Sequence, residues 1–181
     1  MAIPAQAALW FLPFVLPICF YVAFTDLRNM LIKNHAVVAL FFVFVIIGLF
    51  ALPPWSTDWI TGGIGPVQLP LPSYIWHLLQ LVVVLFVGVF LNAAGIMGAG
   101  DAKFLAAAAP FVWPGDYLLV MYILTATTMA AFATHRLARN TGLRNIAPDW
   151  ESWDRTKQFP LGFPLGGSLA IYLIAGTVYG S

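Results

Sequence analysis

From Tyr74 to Gly95 the chain reads YIWHLLQLVVVLFVGVFLNAAG, without a single Asp, Glu, Lys or Arg. A bilayer core of about 30 Å is crossed by about 20 helical residues, so this run is long enough to span a membrane. Comparable runs fall at about 7–25, 36–52, 101–113, 117–136 and 161–179. Charged residues are only 8% of the 181, against about a quarter in soluble domains. With 61% hydrophobic residues and a mean hydropathy of +0.90, a chain of this size cannot enclose its apolar surface in a water-soluble core. The fold expected is an all-α, polytopic membrane protein with about six transmembrane helices in a lipid bilayer. Residues 1–181 read as a single domain without internal repeats.

Several function classes fall away at once. A net charge of +1 provides no basic face to neutralise phosphates, which argues against a nucleic-acid partner. One cysteine, Cys19, leaves no intrachain disulfide and no CxxC-type zinc site. No HExxH segment is present for a membrane zinc protease, and His35, His77 and His135 are scattered at span ends, where interface or packing roles suffice. The N-terminus lacks the basic region of a signal peptide, so the first apolar run is expected to be retained.

Orientation follows the cations. Arg28 and Lys33 follow the first span, Lys103 the third, and Arg136, Arg139, Arg144, Arg155 and Lys157 the fifth. The connections at 53–73 and 113–117 carry none. Basic and non-basic loops therefore alternate, as six spans with both termini outside require. The outer loop 53–73 is rich in Pro and Gly, with Trp55 and Trp59 suited to the interface. The inner loop 137–160 is the one sizeable hydrophilic segment. Its PDWESWDR stretch suits a short surface helix, and a solvated loop is the simpler reading of the whole.

Seven acidic residues can be sorted by place. Asp149, Glu151 and Asp154 sit among cations in the inner loop and read as solvated. Asp58 and Asp116 lie in outer turns, where turn chemistry accounts for them. Asp26, closing the first span, and Asp101, opening the fourth, remain, and both are expected at the same cytoplasmic face. Ionisable groups at membrane depth are costly and tend to be functional. Taken singly, each has a plain explanation: Asp26 can pair with Arg28 or Lys33, and Asp101 can cap a helix. Taken together, two carboxylates at one depth can share a proton, since like charges at close range do not both ionise. One then serves as base toward a water while the other, protonated, donates to a scissile carbonyl. That is aspartic-protease chemistry.

Asp101 lies within AAGIMGAGDAKF, behind Gly95, Gly98 and Gly100. Gly98 and Gly100 leave room for the backbone to bend or for another segment to approach the acid. Packing of helices through small residues explains the same glycines.

The segment GAGD-Ala-Lys, with an acid closing the first span upstream, resembles the GxGD membrane aspartyl proteases, and among them the type IV prepilin peptidases. The first motif of that family resembles DLRNMLIKN, which supplies Asp26, Arg28, Ile32 and Asn34, with Lys33 where the family usually carries proline. The second maps onto Gly98, Gly100 and Asp101, followed by Lys103. The segment FPLGGSLAIYL resembles a P-x-G element opening the last span, at Pro164 and Gly166.

The resemblance implies catalysis by Asp26 and Asp101 without metal or organic cofactor. Supporting parts would fall to Arg28, Asn34, Gly98, Gly100, Lys103, Pro164 and Gly166. Larger members add a cytoplasmic N-methyltransferase region with paired CxxC ligands, which this chain lacks, so it is similar to the short, peptidase-only form of Flp/Tad pilus systems. The implied substrate is a prepilin, cut between a short basic leader and its hydrophobic helix. The implied location is the bacterial cytoplasmic membrane, with the active site facing the cytoplasm. Two other classes compete: a small proton- or cation-coupled transporter using the same two aspartates, and a non-catalytic subunit of a secretion machine.

Overall fold

The computed structural model describes residues 1–55, 59–64, 67–155 and 158–181; at 59–64, 67–69 and Leu143 the backbone alone is described. Asp58 and Lys157, and the Trp59 side chain, lie outside the described residues. Six helices follow one another: α1 (Ala5–Asn29), α2 (Asn34–Ala51), α3 (Ser73–Ala93), α4 (Ala99–Ala108), α5 (Tyr117–Arg139) and α6 (Gly162–Tyr179). All but α4 are at least 18 residues long and apolar enough to cross a membrane. The chain is thus an all-α polytopic membrane protein. Large side chains such as Phe20, Phe50, Phe86, Phe90 and Leu118 face outward, as a lipid-facing surface requires.

The connection 53–73, which its Pro and Gly content marks as a loop, contains an antiparallel hairpin, β1 (Trp59–Ile64) with β2 (Val67–Pro72). Its β2 prolines, Pro70 and Pro72, have no N–H to give a ladder, which suits a strand paired on one side only.

The expected span 101–113 needs correction. Its regular helix ends at Ala108, followed by 3-10 turns at Ala109–Phe111 and Pro114–Asp116. Residues 99–116 still carry the chain from one end of the molecule to the other. Asp101 opens α4 beside the end of α1, whereas Asp116 accepts from the backbone N–H groups of Ala2 (2.8 Å) and Ile3 (3.0 Å), at its start. A ten-residue helix rises about 15 Å, and the extended 3-10 path supplies the rest.

Irregular backbone at membrane depth persists only where protein satisfies it, and polar side chains of α3 and α6 do so here. His77 donates through Nδ1 to the Pro110 carbonyl (2.6 Å). The Gln80 amide, turned so that its NH2 donates to the Ala109 (2.8 Å) and Val112 (3.0 Å) carbonyls, accepts from the Tyr117 hydroxyl (3.2 Å). The Tyr172 hydroxyl accepts from the Trp113 N–H (3.1 Å) and donates to Asp116 (2.9 Å). Asp116 is therefore no exposed turn residue: it is 4% exposed and ties the start of the chain to α6.

The termini meet at that end, the Met1 ammonium donating to the Tyr179 carbonyl (3.1 Å). Between the two ends, Phe11, Phe44, Phe104, Phe111 and Tyr172 are fully buried. Phe11, Phe44 and Phe111 stack edge and face, with ring centroids 5.0–5.7 Å apart.

The loop 137–160 departs from the solvated reading in part. Asp149, Glu151 and Asp154 are exposed, with Asp154 paired to Arg144 and Glu151 to Arg155. Trp153, however, is buried in a 3-10 turn (Glu151–Trp153) and stacks on His135 of α5. Trp150 meets Phe24 of α1 edge-on, two residues from Asp26.

Candidate active site

α1 ends three residues past Asp26, and the next residue, Met30, adopts a left-handed conformation (φ 51°) with its N–H bonded to the Asp26 carbonyl at 2.9 Å. A side chain with a Cβ is disfavoured there by about 1–2 kcal/mol. The turn directs Ile32 inward and lets α2 start at Asn34.

The Asp26 side chain is 5% exposed. Among the described residues it forms no ion pair with Arg28 or Lys33; Arg28 points outward. Its Oδ2 instead accepts from the Gly162 N–H at 2.7 Å, and the Phe163 N–H lies on the same carboxylate. Both amides belong to the first turn of α6, whose N–H groups have no partner within the helix and whose dipole favours an anion. Gly162 is needed for contact this close: a Cβ there would stand 2.9 Å from Asp26 Cβ and 3.0 Å from its carboxylate.

Asp101 occupies the first turn of α4 and is half-buried. Its carboxylate folds back toward the amide of Gly98, the N-cap residue, in the manner of an N3 acid in a capping box. A Cβ on Gly98 would lie 2.8 Å from Asp101 Oδ2, so that glycine makes room for the acid itself. Gly100 makes room for the first motif: its missing Cβ would sit 3.3 Å from Ile32 Cβ. A second bridge joins the same two segments, Lys103 Nζ donating to Asn34 Oδ1 at 3.3 Å.

Asp26 and Asp101, separated by 75 positions in sequence, thus lie at one end of the bundle, near enough that the charge of Asp101 acts on Asp26. Pro164 and Gly166 are set apart from the carboxylates. Gly166 lets α6 approach α1 until its Cβ position is 2.7 Å from the Cys19 carbonyl, and Pro164 is buried with its carbonyl accepting from Ser168. Gly162 is the residue that sequence reasoning passed over. The signal was present: a glycine at the start of a span, two residues before a proline, at the aspartate end. Among the described residues, no three His, Cys, Asp or Glu side chains gather as metal ligands.

Residues 13–134, which include Asp26, Asp101 and Lys103, match the model of the type IV leader peptidase family. The chain belongs to that family of membrane peptidases. No curated protein and no solved structure matches it. The family match ends before α6, so Gly162, Pro164 and Gly166 stand on geometry alone.

Proposed function

We propose that this peptidase is an aspartic endopeptidase in which Asp26 and Asp101 share one proton and hold the attacking water between them. The observation that supports the reading is the placement of both carboxylates at the same end of the bundle, each set against amides of a helix start, with Gly100 beside Asp101 packed on Ile32 of the first motif. Paired acids at close range hold a single negative charge more readily than two. The ionised member takes a proton from water as it attacks the scissile carbonyl. The protonated member donates to the carbonyl oxygen, giving a gem-diol. As the C–N bond breaks, the first member passes the water's proton to the leaving nitrogen and the second takes back a hydroxyl proton.

Family membership supports a type IV prepilin as substrate, and the resemblance to the short, peptidase-only form points to a Flp-like pilin. Its leader would be removed at the cytoplasmic face of the bacterial cytoplasmic membrane, with both termini of the enzyme outside. Arg28, Lys103 and Asn34 stand at the aspartate end of the bundle, where they would meet the flanks of the scissile bond.

The test is processing of a co-expressed Flp-type prepilin in membranes. Asp26→Asn and Asp101→Asn each abolish cleavage while the protein accumulates normally. Cleavage that persists in either variant rejects the mechanism.

A further inference from the structure

At the end of α5 a small cavity of ≈ 110 Å³ opens between that helix and the segment that leads into α6. Arg136 and Arg139 of α5 border it, together with Arg155 of the later segment. Phe132 and Phe159 form its apolar wall, their rings meeting edge to face at 5.6 Å. Three like charges thus surround one small space. The last turn of a helix favours cations, which accounts for Arg136 and Arg139. It does not account for Arg155, which a different part of the chain brings to the same place.

The protein itself neutralises little of this charge. Among the described residues, Arg136 and Arg139 have no carboxylate partner, and Arg136 lies over the Phe132 ring at 5.9 Å. Arg155 pairs with Glu151 at 3.3 Å and donates to Gln158 at 3.1 Å. An exposed pair of that kind contributes little, and a guanidinium with five N–H donors has others to give. His135 borders the same cavity, stacked on Trp153, and its Nε2 is buried without a hydrogen-bond partner among the described residues. A buried polar atom left in that state calls for a partner.

We propose that this cavity binds the headgroup phosphate of an anionic phospholipid whose acyl chains lie against α5. Arginine suits phosphate because its planar fork can give two parallel N–H bonds. The volume equals about three or four waters' share, enough for one phosphate group and little more. Its place in the fold selects lipid as the source: the cavity lies at the polar end of a helix long and apolar enough to cross a membrane. Met129, Phe132 and Arg136 follow at i, i+3 and i+7 on one side of α5, and the first two are exposed apolar residues. An acyl chain on that stripe carries its own phosphate to Arg136, whereas a free phosphate makes no use of it. A zwitterionic headgroup would bring a further cation among the arginines. The bound phosphate would offset their repulsion and bridge α5 to the segment before α6. The site is separate from the two aspartates and does not depend on the protease reading.

The test uses the full chain, purified in detergent and stripped of lipid, with bound lipid read by native mass spectrometry. The probes are dioleoylphosphatidylglycerol, dioleoylphosphatidylcholine, inorganic phosphate and a glutamate-rich peptide. Phosphatidylglycerol is expected to bind with an apparent Kd about tenfold below that of phosphatidylcholine. Arg136→Gln combined with Arg139→Gln raises that Kd by about tenfold or more, and Arg155→Gln by about fivefold. Arg144→Gln removes the same charge from an arginine paired to Asp154 outside the cavity, and leaves the Kd unchanged.

Equal binding of the two lipids, an equal loss in Arg144→Gln, or undiminished binding in the cavity variants overturns the proposal. Displacement of the lipid by inorganic phosphate or by the peptide at comparable concentration also overturns it, since the site would then serve a soluble anion or an acidic segment of protein. A second measurement needs no variant. Phosphatidylglycerol with a photoreactive headgroup is crosslinked to the unaltered chain, and the adducts are mapped by peptide mass spectrometry. Adducts within 129–139 or 155–159 are expected, and adducts confined to other segments reject the site.

Discussion

Gly162 donates its backbone N–H to the Asp26 carboxylate at 2.7 Å, joining the end of the first helix to the start of the last across 136 positions. The contact fixes where one acid of the pair points. It also explains why a glycine is required, since any Cβ would occupy the carboxylate's own space.

Gly162→Ala is therefore expected to leave the protein inserted and folded but to displace Asp26. A misplacement of about 1 Å at a reacting group costs of the order of 10²-fold in rate. Initial rates on a prepilin substrate, normalised to protein in the membrane, check this. Activity within a few-fold of the parent would show that the α6 amide does not position the acid.

Gly100 separates the two motifs by a narrower margin. A Cβ at that position would stand 3.3 Å from Ile32, a gap that a few tenths of an ångström relieves. Ala also gains up to about 1 kcal/mol over Gly inside a helix. Gly100→Ala should hence be close to neutral in stability and activity. Gly100→Leu should push α4 away from the 30–34 turn and lose most of the activity. Comparable activity of the two variants would show that the distance between these segments does not matter.

Much of this was legible in the sequence, for a physical reason. Membrane spans are set by length and hydropathy along the chain, so five helix positions follow from composition within a few residues. Two acids stand out because so few charges compete for attention. The rest was tertiary. The early end of α4 depends on His77, Gln80 and Tyr172, which lie on other helices and satisfy the carbonyls and amide of 109–113. Asp116 looks like any turn residue until the N-terminal amides arrive to bury it. Trp153 is hidden by packing on His135, which no local pattern announces.

Met30 offers a test of the turn that sets the first motif. It is the one non-glycine at positive φ among the described residues. Met30→Gly relieves the Cβ clash, whereas Met30→Ile, β-branched, aggravates it. The two variants should bracket the parent, with Gly above Ile by about 1–2 kcal/mol. Thermal unfolding in detergent reads the difference. An inverted order would mean that Met30 does not hold this conformation in the membrane.

Tyr172→Phe probes what keeps the fourth crossing in place. The ring would stay packed, but the Trp113 N–H would lose its acceptor and Asp116 one of its donors. Leaving a buried polar group unsatisfied costs about 1–3 kcal/mol. The expected outcome is a lower unfolding temperature. The catalytic rate at low temperature should change little, because Tyr172 contacts the Asp116 end and not the Asp26 end. If Tyr172→Phe is as stable as the parent, the hydroxyl is not what supports the irregular backbone of 109–116. If stability holds and cleavage falls, the two ends of the bundle are linked more tightly than their separation implies.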